Sequence, residues 1–168
     1  MKENKDTKTK KSKEETKEKT VTKNSLLAVV RISGLVKVRE EIENTLGRMR
    51  LRKKYTCVLM DASDKNMIGM LKKVRYYVAY GEIDEPTLIL LIKNRARVNK
   101  NNKGHEKVKI DEEMAKELMK GKELKELGLK PFFRLHPPRK GIDSKSQYPK
   151  GVLGDNKKDI NKLVGRMI

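Results

Sequence analysis

The 168-residue sequence has no tryptophan, two phenylalanines, one cysteine and two histidines. One cysteine allows neither an internal disulfide nor a CxxC zinc site, and two histidines cannot supply a histidine-rich metal site. The longest apolar runs, such as 88–92, fall far short of the roughly 20 residues that a membrane-spanning helix needs, and the lysine-rich N-terminus does not match a signal peptide. We therefore expect an intracellular, soluble protein of a reducing compartment, with no metal, no cofactor and no membrane partner.

Acidic residues are also scarce relative to basic ones. The chain has 23 Asp and Glu against 42 Lys and Arg, for a formal net charge of +19. The excess lies in residues 1–54, 93–109 and 130–168, whereas 55–92 and 110–129 are close to neutral. So cationic a surface attracts polyanions. Because few aromatic side chains are present to stack on bases, we expect phosphate and ribose contacts with folded RNA rather than recognition of a free strand.

Motifs of catalysis are missing as well: the sequence contains no P-loop, GxGxxG, GxSxG or HExxH. Cys57 lies in an apolar stretch that reads as a strand, where a thiol is usually a small buried hydrophobic group. The carboxylates of 40–43 and 111–113 fall in or near the first turns of predicted helices, where acids favour the positive end of the helix dipole. These observations predict no enzyme and no small-molecule substrate.

The length favours one domain with extensions. Residues 1–24, rich in Lys, Glu and Thr, are predicted to be disordered, either as a solubilising tail or as a basic arm that orders on nucleic acid. A core is expected at 25–136 with a helical insertion at about 87–129. Residues 137–168, with three prolines and several glycines before the last stretch, are predicted to form an extended RNA-binding arm and a C-terminal helix.

Hydrophobic periodicity predicts the elements of the core. In chain order they are a strand at 26–32, a helix at 36–49, a strand at 55–60, and a helix that is capped by Asp64, runs to 78 and is followed by a break at 81–86. A helix at 87–97, a polar loop at 99–105, a short helix capped by Asp111 and running to 119, another short helix at 124–127, a strand at 131–136 and a helix at 160–167 follow. This pattern predicts an α+β fold with a small antiparallel three-stranded sheet and helices on one face. The third strand is either 131–136 or a segment nearer 77–83, and the second face needs the arm or a partner to cover it.

Two groups of cations are candidates for RNA binding. The first follows the first helix and comprises Arg48, Arg50, Arg52, Lys53 and Lys54. One or two cations would suffice to complement a helix C-terminus, so five in seven positions favour phosphate contacts. The second group lies on the predicted arm and comprises Arg134, His136, Arg139, Lys140, Lys145 and Lys150. Pro137 and Pro138 favour an extended path there, which suits a segment that threads along RNA better than an ordinary surface loop.

Several stretches occur in an order that resembles a known family. They are VRISG at 30–34, IENTLGRMRL at 42–51, 57–59 with its acidic turn, GMLKKV at 69–74, VAYGE at 78–82, 127–129 and RLHPPR at 134–139. Together they resemble the large-subunit ribosomal protein L-thirty family in its longer archaeal form, whose eukaryotic counterpart is L-seven. The resemblance covers about 26–168. The chain departs from the family at Ile68, where an arginine is usual, and at Lys140, which replaces the first of two glycines.

The resemblance implies a split β-α-β fold related to ferredoxin-like domains. It also implies a structural constituent of the large ribosomal subunit, a ribonucleoprotein of translation in the cytoplasm, which binds folded ribosomal RNA beside neighbouring large-subunit proteins without catalysing a reaction. A ribosome-assembly factor built on the same domain is the alternative. An RNA-modifying enzyme is the third hypothesis, and the missing catalytic residues argue against it.

Overall fold

The computed structural model describes residues 26–99, 112–142 and 144–168. Its sheet is centred on strand β1 (Leu26–Arg31), which pairs antiparallel with β2 (Thr56–Asp61) on one side and with β3 (Val78–Glu82) on the other. Two short strands extend the edges: β4 (Phe133–Arg134) runs antiparallel to β2, and β5 (Gly154–Asp155) runs parallel to β3. The order across the sheet is therefore β4-β2-β1-β3-β5.

Five helices of the described chain cover both faces of this sheet. They are α1 (Glu40–Arg48), α2 (Lys65–Val74), α3 (Glu85–Arg95), α4 (Glu112–Met119) and α5 (Ile160–Met167). Val29 of β1 belongs to the core formed with α1 and α2, together with Leu46 and Leu71. Ala28 of the same strand belongs to the opposite core, with Leu163 of α5. Because successive strand residues point to opposite faces, a strand between two helical layers is buried along most of its length.

Local signals place two of the helices where the sequence predicts them. The Asp64 carboxylate accepts hydrogen bonds from the N–H groups of Asn66 at 2.9 Å and Met67 at 3.4 Å, which caps α2 as predicted. The four apolar residues predicted for the C-terminal helix are all buried in α5: Ile160, Leu163, Val164 and Met167. In addition, the Asn161 side chain donates to Glu82 O at 3.0 Å and so ties α5 to the end of β3.

The α+β class is confirmed, but the predicted sheet needs correction. The sheet has five strands and is mixed, and its helices lie on both faces rather than one. The helix predicted to run to Val78 ends at Val74, because Val78 begins the strand that supplies the second neighbour of β1. Gly81 lies inside this strand rather than in a break, and a Cβ there would collide with the carbonyl oxygen of Lys157. The glycine therefore allows the close approach of the C-terminal segment to the sheet.

Three further predicted elements are shorter or different in the structure. The first helix begins at Glu40 rather than 36, after Lys37 with a φ of 59°. The strand predicted at 131–136 is reduced to the two residues of β4, and 124–127 forms hydrogen-bonded turns rather than a helix. The predicted cap Asp111 and most of the loop before it lie outside the described residues. None of the helices in the described part of the chain is long and apolar enough to cross a membrane.

The segment at 137–158, predicted to be an extended arm, folds back onto the protein. Its end forms β5 against β3, and Gln147 bridges Leu153 in a closed loop. The Tyr148 hydroxyl donates to an Asp159 carboxylate oxygen at 2.9 Å, which holds this loop against the start of α5. The second face of the sheet is thus covered by α3, α4 and α5 of this chain.

Candidate nucleic-acid interface

Helix α1 ends in a turn that directs several cations to one side of the protein. The Leu51 N–H donates to Leu46 O at 2.8 Å, and the Arg50 N–H donates to Gly47 O at 3.0 Å. This pair of hydrogen bonds is the Schellman arrangement, in which the residue after the cap adopts a left-handed backbone. Arg50 occupies that position with a φ of 61°, where glycine is the usual residue. An arginine at this position indicates that its side chain has a role that offsets the energetic cost of the strained backbone.

A buried arginine holds the loop that follows. Arg31 at the end of β1 is fully buried, and its guanidinium donates to four backbone carbonyl oxygens. The acceptors and distances are Ser33 at 3.0 Å, Gly34 at 2.8 Å, Leu51 at 2.7 Å and Arg52 at 3.1 Å. Burial lowers the pKa of Arg31, and the nearby Glu43 carboxylate partly offsets that effect. Because an arginine guanidinium stays protonated in proteins, Arg31 acts as a charged clamp on the loops at both ends of α1.

Five of the predicted RNA-binding cations line one open groove of about 930 Å³. They are Arg48, Arg50, Arg52, Lys53 and Arg134. We call this surface the basic groove. Thr56 and Phe132 also line it, and so does Lys130, a cation that the sequence analysis missed. Lys130 could have been found from its position directly before the strand predicted at 131–136. When that strand pairs with β2, Lys130 comes to lie beside β2.

The pairing of β4 with β2 brings the two distant parts of the basic groove together. Thr56 and Arg134 are register partners in this pair. The Arg134 guanidinium lies over the Phe132 ring, 5.5 Å from its centroid. Lys130 is fixed by its N–H, which donates to Arg97 O at 2.8 Å. Lys54 is exposed next to the groove and lies over the Tyr55 ring, 4.7 Å from its centroid, but does not line the groove.

The remaining predicted cations lie in the C-terminal part of the chain, outside the basic groove. The His136 N–H donates to Met167 O and the Arg139 N–H donates to Arg166 O, each at 3.0 Å, so their backbones are anchored while their side chains are exposed. Lys140 adopts a φ of 68°. Lys145 and Lys150 are exposed on the loop that the arm forms. We call these five residues the C-terminal basic surface; none of them lines the basic groove.

The cations of the basic groove are not neutralised by acids of the described chain. The ion pairs of the described chain are Lys122–Glu117, Lys125–Glu123 and Lys162–Asp159, and none of these residues lines the basic groove. Unpaired arginines and lysines that share a concave surface keep their donors for an external anion, and arginine suits phosphate because its fork donates two hydrogen bonds at once.

Cys57, the one cysteine, does not behave as a catalytic group. It is fully buried in β2, and burial raises the pKa of its thiol to about 12. A thiol with such a pKa is protonated at neutral pH and is a poor nucleophile. Among the residues that the structure describes, no cluster of His, Cys, Asp and Glu has the makings of a metal site.

The fold and the groove define the class: a small, strongly basic α+β protein with an open groove lined by cations. Comparison with known proteins gives the family. The family model described as ribosomal protein L30p/L7e matches residues 27–78. The large ribosomal subunit protein uL30 of Archaeoglobus fulgidus is 44% identical over 155 residues, which cover 84% of this chain and 99% of that protein. The uL30 proteins of Nanoarchaeum equitans and Methanococcus maripaludis are 41% and 39% identical, over 86% and 84% of this chain and 99% and 98% of theirs. The chain belongs to the ribosomal protein L30p/L7e family, so the resemblance seen in the sequence is confirmed.

Proposed function

We propose that this protein is a structural constituent of the large ribosomal subunit and that it contacts folded ribosomal RNA through the basic groove. The first part rests on membership of a family whose relatives are named as large-subunit proteins. Its partners are then ribosomal RNA and neighbouring proteins of the subunit, its place is the cytoplasmic ribosome, and it is not an enzyme. The observation that carries the second part is the convergence of Arg48, Arg50, Arg52, Lys53 and Arg134 on one concave surface.

The physical basis of this contact is the release of counterions. Each lysine or arginine that neutralises a phosphate frees condensed cations from the RNA, which favours association at low salt and weakens it steeply as salt rises. The contacts position the protein on folded RNA without reading base sequence. Arg31 stabilises the loop that makes this contact. Its hydrogen bonds to Leu51 O and Arg52 O fix the backbone that carries Arg50, Arg52 and Lys53.

The C-terminal basic surface provides a second contact in this proposal. The backbones of His136 and Arg139 are anchored to α5, so the exposed side chains there are presented by a fixed support rather than by a free arm. Lys145 and Lys150 are exposed on the loop between β4 and β5 and add two further cations to this contact. Two separated basic surfaces suit a protein that bridges two segments of a folded RNA.

Sedimentation of cell extracts tests whether the protein is a constituent of the mature subunit or an assembly factor. A tagged copy of the chain is expected to sediment with mature large subunits, and to stay with them through a moderate salt wash. The matched control is a copy with the basic-groove cations Arg48 and Arg52 changed to alanine, which should dissociate at lower salt. Sedimentation of the unaltered protein with precursor particles alone would contradict the proposal and favour the assembly factor.

A further inference from the structure

The floor of the basic groove contains a hydroxyl that lacks a partner. Thr56 lines the groove and is only 2% exposed, and its Oγ1 atom makes no hydrogen bond to any described residue. An unpaired buried hydroxyl is unfavourable in the free protein, since it has lost its water without gaining a partner. A group that enters the groove would supply that hydrogen bond once the hydroxyl, which is shielded from solvent in the free protein, turns towards it. This observation is independent of the cations at the rim.

One wall of the groove carries a cation–π pair of side chains. Phe132 is half-buried, and the Arg134 guanidinium lies over its ring. Nucleobases stack readily on aromatic rings and on guanidinium planes. The chain has only two phenylalanines, and one of them lies in this groove. Phe132 also packs against the core beneath α1 and α2, so its ring is held in place at the groove.

The shape of the groove separates two kinds of RNA contact. The backbone of an intact duplex is convex and reaches exposed rim cations such as Arg50 and Arg52, but not a threonine that is 2% exposed. A single nucleotide turned out of its helix has both a phosphate for the rim and a base that can enter. The volume of about 930 Å³ is ample, since small-molecule sites occupy about 300–1,000 Å³.

We propose that the basic groove receives one unstacked nucleotide of the RNA, whose base enters between the Arg134–Phe132 pair and Thr56 while the rim cations hold the flanking phosphates. This inference rests on the proposed function and adds the kind of RNA structure that the site takes: a helix with a bulged or flipped-out nucleotide. Base identity is a secondary matter, because stacking tolerates every base and one hydroxyl can donate to or accept from any of them.

The test compares two RNA hairpins that differ in one base alone. Each carries a single bulged nucleotide at the same position, but in one of them the bulged residue is abasic, so that the number of phosphates is matched. The dissociation constants of the full chain for both are measured at several salt concentrations. We expect the hairpin with the base to bind about tenfold more tightly or better, in line with the contribution of one stacked base.

Variants assign that difference to the groove. Phe132→Leu and, separately, Thr56→Val should bring the affinity ratio of the two hairpins towards one, while the salt dependence of binding stays as in the unaltered protein. Tyr76→Leu removes an exposed aromatic outside the groove and should leave the ratio unchanged. Circular dichroism and denaturant unfolding confirm that each variant is folded before its ratio is interpreted.

The outcomes separate this inference from the proposed function. If the unaltered protein binds the two hairpins with equal affinity and steep salt dependence, the inference that a nucleotide inserts into the groove is wrong, while the proposed phosphate contact stands. Failure to bind either hairpin with any salt dependence would overturn the proposed RNA contact, and this inference with it. A preference for the base that survives both Phe132→Leu and Thr56→Val in folded protein would also overturn the inference.

Discussion

The guanidinium Nη1 of Arg31 donates a hydrogen bond of 2.7 Å to the carbonyl oxygen of Leu51, and this bond joins the end of the central strand to the loop of the basic groove. The same side chain bonds Arg52 O, Ser33 O and Gly34 O. Arginine is almost never fully buried unless its donors are satisfied, and here backbone carbonyls rather than a carboxylate satisfy them. A buried positive charge thus orders the neighbouring cations that face solvent.

Arg31→Met keeps much of the side-chain volume but removes the donors to those four carbonyl oxygens. We expect the free energy of unfolding to fall by about 3 kcal/mol, because hydrogen bonds from charged groups contribute about 1.5–3 kcal/mol each and are not additive. Urea denaturation measures the change. RNA affinity should also fall, although Arg31 itself does not line the basic groove.

The matched control for that prediction is Arg31→Lys, which keeps the charge but loses the planar fork. Its loss of stability should be intermediate, since an ammonium reaches fewer of the four carbonyl oxygens in fixed geometry. Equal stability of Arg31→Met and the unaltered protein would contradict the role of Arg31 as a clamp.

Arg50→Gly separates stability from function at the end of α1. Arg50 has a φ of 61°, which an L-residue adopts at a cost of about 1–2 kcal/mol and glycine adopts freely. Glycine also loses more chain entropy on folding, so we expect the free energy of unfolding to stay unchanged or to rise by up to about 1 kcal/mol. RNA affinity should decrease, because one groove cation is lost.

Arg48→Gly is the control, since Arg48 is the last helical residue of α1 and carries the same charge. There glycine should lower the free energy of unfolding by about 0.5–1 kcal/mol. Urea denaturation of the two variants side by side distinguishes them. A larger destabilisation by Arg50→Gly than by Arg48→Gly would contradict the assignment of strain to Arg50.

The buried thiol of Cys57 should make the stability of the protein depend on pH in the alkaline range. The pKa of its thiol rises from 9.0 to about 12 in the folded state because it is buried in β2. The unfolded chain therefore loses this proton first, and the contribution of Cys57 to stability is complete below pH 9 and declines as pH rises towards 12. Cys57→Val removes this contribution, so the stability of the variant should fall less between pH 9 and pH 11.

Urea denaturation at several pH values measures the difference between Cys57→Val and the unaltered protein. Other groups titrate in the same range, but they are common to both proteins and cancel in the comparison. RNA binding at neutral pH should be the same for both, since Cys57 does not line the basic groove. Loss of RNA affinity by a folded Cys57→Val protein would show that the thiol has a role that burial does not explain.

Local signals explain most of what the sequence predicts correctly. The cap at Asp64 and the apolar spacing of Ile160, Leu163, Val164 and Met167 are properties of a few neighbouring residues. The sequence leaves the third central strand open between 131–136 and a segment nearer 77–83, because Tyr77 and Val78 also continue the apolar spacing of α2. What makes 78–82 a strand is its pairing with β1 and the approach of Lys157 to Gly81, and both contacts join distant parts of the chain.

The same distinction applies to the candidate site. The cluster from Arg48 to Lys53 is contiguous, so its charge density is visible in the sequence. Arg134 and Lys130 join this cluster in the groove only because β4 pairs with β2, a contact between distant parts of the chain. The same pairing places Thr56 at the floor of the groove. The burial of Arg31 could not be predicted either, because nothing in the sequence indicates which carbonyl oxygens would accept from it.

The relative importance of the two basic surfaces is open to a direct measurement. We expect Arg48→Ala with Arg52→Ala to flatten the slope of log affinity against log salt by about 1.5, because each lost phosphate contact contributes roughly 0.7–0.9. On the C-terminal basic surface, Arg139→Ala with Lys140→Gly should flatten it by a similar one to two units; glycine replaces Lys140 because its φ is 68°. Lys116→Ala with Lys120→Ala, on and just after α4, is the control that should change the slope much less. Binding of large-subunit RNA is measured over a range of salt for all three double variants. Equal flattening by the three would mean that the charge acts as a diffuse field, whereas loss confined to the groove variant would assign the RNA contact to the groove alone.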